Sequence, residues 1–162
     1  MSVLKARRRE SAAEYVNSAC KVFEGTLWFL SRLSNRYQRL LAADTMKLAS
    51  ETLDHCEKAN NIRVTDDVTY GLRREHLAEA VSSVMALDVH LSYIWELLME
   101  NPQGAFTNTK GQTRPPAEAI GILDKMAASL GEEIDKVKNL TRKVIESDKR
   151  SWMGKQEKMQ QK

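Results

Sequence analysis

The chain has 162 residues, with 25 Lys and Arg against 22 Asp and Glu for a net charge of +3, and few aromatics, glycines or prolines. That length is one domain, able to bury about two thirds of the surface its unfolded form exposes, and the dominance of Ala, Leu, Glu, Lys and Arg argues against a sheet protein. The first ten residues carry charge with no long apolar run behind them, so neither a signal peptide nor a membrane span is expected there, and the cytoplasm is the expected compartment.

Apolar residues recur at three- and four-residue steps in four stretches, each of which draws a stripe down a helix. Helix 1 is expected over about residues 6 to 33, with Ala12, Val16, Ala19, Phe23, Thr26, Leu30 and Leu33 inward. Ser34 and Asn35 suit a turn and a cap. Helix 2 is expected from Arg36 to Asn60, with Ala42, Met46, Ala49, Leu53 and Cys56 inward and a left-handed cap at Asn60 and Asn61. Cys20 and Cys56 fall on the interior sides of these stripes and read as reduced, small hydrophobes.

Thr65, Asp66 and Asp67 supply capping oxygens and acidic charge for helix 3. Its stripe runs Leu77, Ala80, Val84, Leu87, Leu91, Ile94 and Leu98 to about Glu100. Asn101 and Pro102 break it, residues 101 to 116 form a polar loop, and Pro115 and Pro116 pre-set the first turn of helix 4. Helix 4 carries Ile120, Leu123, Ala127, Leu130, Ile134, Val137, Thr141 and Val144. The expectation is an all-α, up-down-up-down antiparallel four-helix bundle over residues 1–148, followed by a basic, flexible tail over 149–162.

The ends are basic and the body is acidic. Lys5, Arg7, Arg8 and Arg9 open the chain, and residues 142 to 162 hold seven basic against three acidic residues. An up-down-up-down bundle gathers Arg7, Arg8, Arg9, Lys58, Arg63, Arg73, Arg74, Lys149 and Arg150 at one pole. Arg32, Arg36 and Arg39 lie at the other, with Lys110 and Arg114 from the loop. Such poles suit phosphate neutralisation; the plainer reading is a solvated face paired with Glu10, Asp66, Asp67 and Glu75.

The sequence contains no glycine-rich phosphate loop, His-Glu-x-x-His, Cys-x-x-Cys or glycine-flanked serine. Glu51 and His55 sit one turn apart, a metal-ligand spacing, but the accompanying glutamates of a di-iron bundle are missing. Neither an enzyme nor a cofactor or metal is expected. Trp28 and Trp95 lie beside the main stripes, and with Leu27, Phe29, Val89, Tyr93, Leu97 and Met99 they widen helices 1 and 3. This is either a broad buried face or a subunit or partner contact. Trp152, in the tail, offers a ring for stacking on a base or docking a partner.

Four segments carry a family resemblance: Ser34-Asn-Arg-Tyr37, Cys56-Glu-Lys-Ala-Asn60, the run Arg73 to Asp88, and the run Ile122 to Ile134. Together they resemble a superfamily of small bacterial four-helix bundles. It includes the proteins encoded by intervening sequences in large-subunit ribosomal RNA genes and the accessory variability determinant of diversity-generating retroelements. The likeness spans about residues 12 to 145. It implies a homopentameric barrel with a basic surface and no catalysis of its own, binding a reverse transcriptase and its structured template RNA in mutagenic cDNA synthesis. Arg36 is the residue of the matching segments nearest to a binding role. The loop at 101–116 is longer than the connections usual in such bundles.

Overall fold

A computed structural model describes residues 11–107 and 111–160. The elements are α1 (Glu14–Leu30), α2 (Asn35–Asn61), α3 (Asp67–Glu100), a 3₁₀ turn at Gly104–Phe106, and α4 (Pro116–Gln160), with no strand among the described residues. α1 packs on α2, α2 on α3, α3 on α4, and α4 back on α1. The short α1–α2 and α2–α3 connections reverse the chain, as does the longer loop before α4. The protein is therefore an antiparallel four-helix bundle whose neighbours in sequence are neighbours in space.

The expected stripes meet in one core, where Val22, Phe29, Leu77, Val84, Leu87, Ile94, Leu123 and Val137 are sealed from solvent. Burying a side chain of this size is worth about 1.5–3 kcal/mol. Of four buried threonines among the described residues, three are tolerated because each hydroxyl donates to the carbonyl four residues earlier: Thr26 to Val22, Thr45 to Leu41 and Thr52 to Leu48. Cys56 is buried, Cys20 is half-buried, and no disulfide joins them. At the start of α4 the inward position is Ala119, while Ile120 points outward.

Four boundaries differ from the sequence expectation. α1 begins at Glu14, because Asn17 reaches back to Ser11 through two side-chain hydrogen bonds of 2.8 Å and holds residues 11–13 out of the helix; the part expected over 6–10 lies outside the described residues. α1 also ends at Leu30, and a tight turn carries Leu33 into the core. α2 remains helical through Asn61 and is closed at Ile62 in extended conformation. Its closing carbonyls are capped by Arg73, whose Nη1 donates to Ala59 O at 2.8 Å and Ile62 O at 3.1 Å.

The fourth difference is the largest. α4 continues through Lys149 and Arg150 to Gln160, where a flexible tail was expected. The cause is Trp152, only 7% exposed. Its indole stacks on Tyr70 with ring centroids 5.5 Å apart, and its Nε1 donates to Asp67 Oδ1 at 3.0 Å. Gln156 donates to the same oxygen at 2.9 Å.

At the start of α3 the expected cap is present. Asp66 Oδ1 accepts from Thr69 N at 2.8 Å, and Thr69 Oγ1 accepts from Asp66 N at 3.1 Å, a reciprocal capping box. The Thr69 amide, with the Thr69 and Thr65 hydroxyls that also donate to it, holds the Asp66 carboxyl below its ordinary range.

Candidate nucleic-acid and partner surfaces

At the pole formed by the α2–α3 connection and the end of α4, Lys58, Arg63, Arg74, Lys149 and Arg150 are exposed. Arg73 is not available with them. Its Nε donates to Asp148 Oδ2 at 2.6 Å and its Nη1 caps α2, so its guanidinium is engaged within the bundle. Arg7, Arg8 and Arg9 lie outside the described residues. The extension of α4 carries Lys149 and Arg150 on a helix instead of a loose tail, which fixes their positions relative to Arg63 and Arg74 without an ordering cost on binding.

The opposite pole holds Arg32, Arg36 and Arg39. Arg36 and Arg39 are exposed on the first turns of α2. Arg32 is half-buried, with its guanidinium 5.1 Å from the Phe106 ring centre. Arg114 covers the same ring at 5.8 Å and pairs with Glu118. These two arginines therefore pin the long loop to the bundle. Lys110 lies outside the described residues.

The tryptophans do not share one face. Trp28 is 61% exposed and lines a groove between α1 and α4 with Gly25, Met126 and Ser129. At the far end of that groove Glu133 receives Lys136 at 2.8 Å and Lys21 at 3.8 Å. Burial raises the Glu133 carboxyl, and the two lysines overcome this to hold it below the ordinary range. Trp95 lies on the other flank of α4. It donates from Nε1 to Asp124 Oδ1 at 3.3 Å and borders a groove of about 380 Å³ floored by Phe29, Leu91, Leu130 and Ile134.

Phe29 is a core residue, 1% exposed, so for this position the broad buried face is the alternative that holds. The outward apolar stripe of α3 consists instead of Met85, Val89 and Tyr93, spaced four apart and opposite the core. This stripe gives α3 a second apolar face opposite its buried one. It is the one described helix long and apolar enough to cross a membrane, and in the bundle its inner residues form the core.

Glu51 and His55, one turn apart on α2, have different partners. Glu51 leans toward Lys47 at 3.8 Å, while His55 faces His76 on α3. No group of three or more metal-binding side chains converges among the described residues.

Sequence reasoning missed the Asp67–Tyr70–Trp152–Gln156 cluster. Its signal was present: Trp152 lies four residues beyond Asp148 and eight beyond Val144, on the step of the α4 stripe. The low apolar content of the surrounding residues hid it.

Comparison with protein-family models, curated proteins and solved structures returned no match. What the fold and its surfaces define is a class: a helical bundle with basic residues at both poles and exposed tryptophans flanking one helix.

Proposed function

We propose that this bundle is a non-catalytic accessory protein that holds structured RNA beside a reverse transcriptase, as in the retroelement systems its sequence resembles, and that it works in the cytoplasm as a homo-oligomer, a pentamer by that resemblance. The observation that carries the reading is the exposed set of Arg63 in the α2–α3 connection, Arg74 on α3, and Lys149 and Arg150 on α4, all at one pole. Arg36, from the segment that matches the superfamily, is exposed at the other pole with Arg39. The mechanism is electrostatic. Each lysine or arginine that meets a phosphate releases counterion, and repetition of the pole in an oligomer multiplies the contacts through effective concentration. Arginines on helix surfaces read backbone shape more readily than base edges, so low sequence selectivity is expected.

The deciding experiment is fluorescence anisotropy of the protein with a long structured RNA across a salt series. Submicromolar binding with a steep negative salt slope supports the reading. Weak or salt-insensitive binding sinks it.

A second reading rests on Trp28, whose exposure is high for so large an apolar ring. In it the bundle is a protein-interaction module of a mobile element or ribosomal setting, Trp28 and Trp95 make the contacts, and the charges serve solubility. Trp95→Ala then abolishes partner capture or assembly and leaves RNA affinity unchanged.

A further inference from the structure

His55 of α2 and His76 of α3 face each other across the helix seam with their Nδ1 atoms 3.1 Å apart, ring centroids 5.2 Å apart and planes 51° apart. Both rings are half-buried, so solvent reaches them. Between neutral imidazoles this contact needs one N–H donor and one lone-pair acceptor. The same spacing is that of two adjacent ligands of a metal ion. At metal–nitrogen lengths of about 2.0–2.1 Å, a 3.1 Å separation corresponds to a ligand angle of roughly 98°, between the octahedral and tetrahedral values.

We propose that His55 and His76 form a two-histidine site for a divalent transition ion of the imidazole-preferring class, zinc, nickel or copper, which ties α2 to α3. The ion takes the Nδ1 lone pairs of both rings. In the hydrogen-bonded pair these positions aim at each other, and a tilt of roughly 40° by each ring directs both at one ion. The proton held between the rings passes through solvent to Nε2 of its own ring. The neutral pair therefore binds with a change of tautomer and no net proton loss.

Water completes the coordination shell, since no third protein ligand converges there among the described residues. Magnesium and calcium, which prefer oxygen ligands, are poor occupants. The cross-link falls three residues beyond Arg73, the side chain that caps α2, so it reinforces a seam already closed at its end.

The test uses tag-free full-length protein. Thermal unfolding is followed with zinc, nickel or copper chloride against magnesium chloride, for the wild type and for His55→Gln, His76→Gln and His90→Gln. The expected result is a rise in Tm of about 3 °C with at least one of the three transition ions and none with magnesium. The rise is lost in His55→Gln and His76→Gln and kept in His90→Gln. Because a glutamine variant that folds poorly would obscure this, nitrogen-15 imidazole spectra of the wild type form the second measurement. With zinc bound, both rings should be in the Nε2–H tautomer, which moves the proton of only the ring that donates in the free pair. A wild type unmoved by all three ions, a shift that survives in either seam variant, or a ring that keeps its proton on Nδ1 in the presence of zinc overturns the proposal.

Discussion

Arg73 and Asp148, 75 residues apart in sequence, meet at 2.6 Å between Nε and Oδ2. The same guanidinium reaches the last carbonyls of α2, so one side chain from α3 joins three helices. Removing it strands a carboxylate and two carbonyl groups near the surface of the core. Arg73→Ala should therefore lower unfolding free energy by about 2–4 kcal/mol in urea titration. Arg73→Lys keeps the charge but not the forked geometry, and should recover less than half of the loss. The RNA affinity of folded Arg73→Lys protein should match wild type, since the Arg73 guanidinium is engaged within the bundle.

Trp152→Ala should cost about 3 kcal/mol. Its local signature is more specific than its global one: amide exchange after residue 148 should accelerate strongly, while protection around Leu87 falls only with global stability. Uniform acceleration everywhere would show that the end of α4 is not anchored by this ring.

Charge reversal of Arg63, Arg74, Lys149 and Arg150 to Glu should flatten the logarithmic salt dependence of RNA binding by about 0.7–0.9 for each phosphate that is no longer neutralised. Circular dichroism should be unchanged, since these side chains are exposed. An unaltered slope moves the phosphate surface to Arg36 and Arg39 or to Arg7, Arg8 and Arg9.

Asp66 gives the acid limb of the stability profile. Its folded carboxyl is held below the ordinary value by the Thr69 amide first and by the Thr69 and Thr65 hydroxyls after it. Its stabilisation is therefore present above the unfolded aspartate value of about 4 and is lost as pH falls through the lower folded one. Asp66→Asn should flatten Tm against pH in that acid window and leave the slope near neutrality alone.

Burial pushes the Cys56 thiol up to about 12, against the opposing pull of the Thr141 hydroxyl. The folded state favours the protonated thiol, so its contribution to stability is complete below the ordinary cysteine range and is lost as pH rises from there toward 12. In a Cys20→Ser background, alkylation of Cys56 at mildly alkaline pH should follow unfolding. Rapid labelling of native protein would contradict its burial.

The bundle was legible because its information is periodic: Leu77, Val84, Leu87, Leu91, Ile94 and Leu98 lie on one stripe and all six are buried. The capping box at Asp66 was partly legible, since it is local in sequence. What periodicity does not encode is which long polar side chain is claimed by a distant partner. Arg73 and Arg74 are alike in sequence, yet one is held by Asp148 and the other is exposed. Neither the His55–His76 contact nor the Trp152–Asp67 bond has a short-range signature, because each joins elements through the register of two helices.

The bond from Trp152 to Asp67 spans 85 residues, which sets an order of events during synthesis. At ordinary elongation rates, roughly 4 to 17 seconds separate the two residues on the ribosome. Throughout that interval Tyr70 and the first turn of α3 wait without their cover, so the outer end of the α2–α3 seam gains its roof only when the last turns of the chain are made.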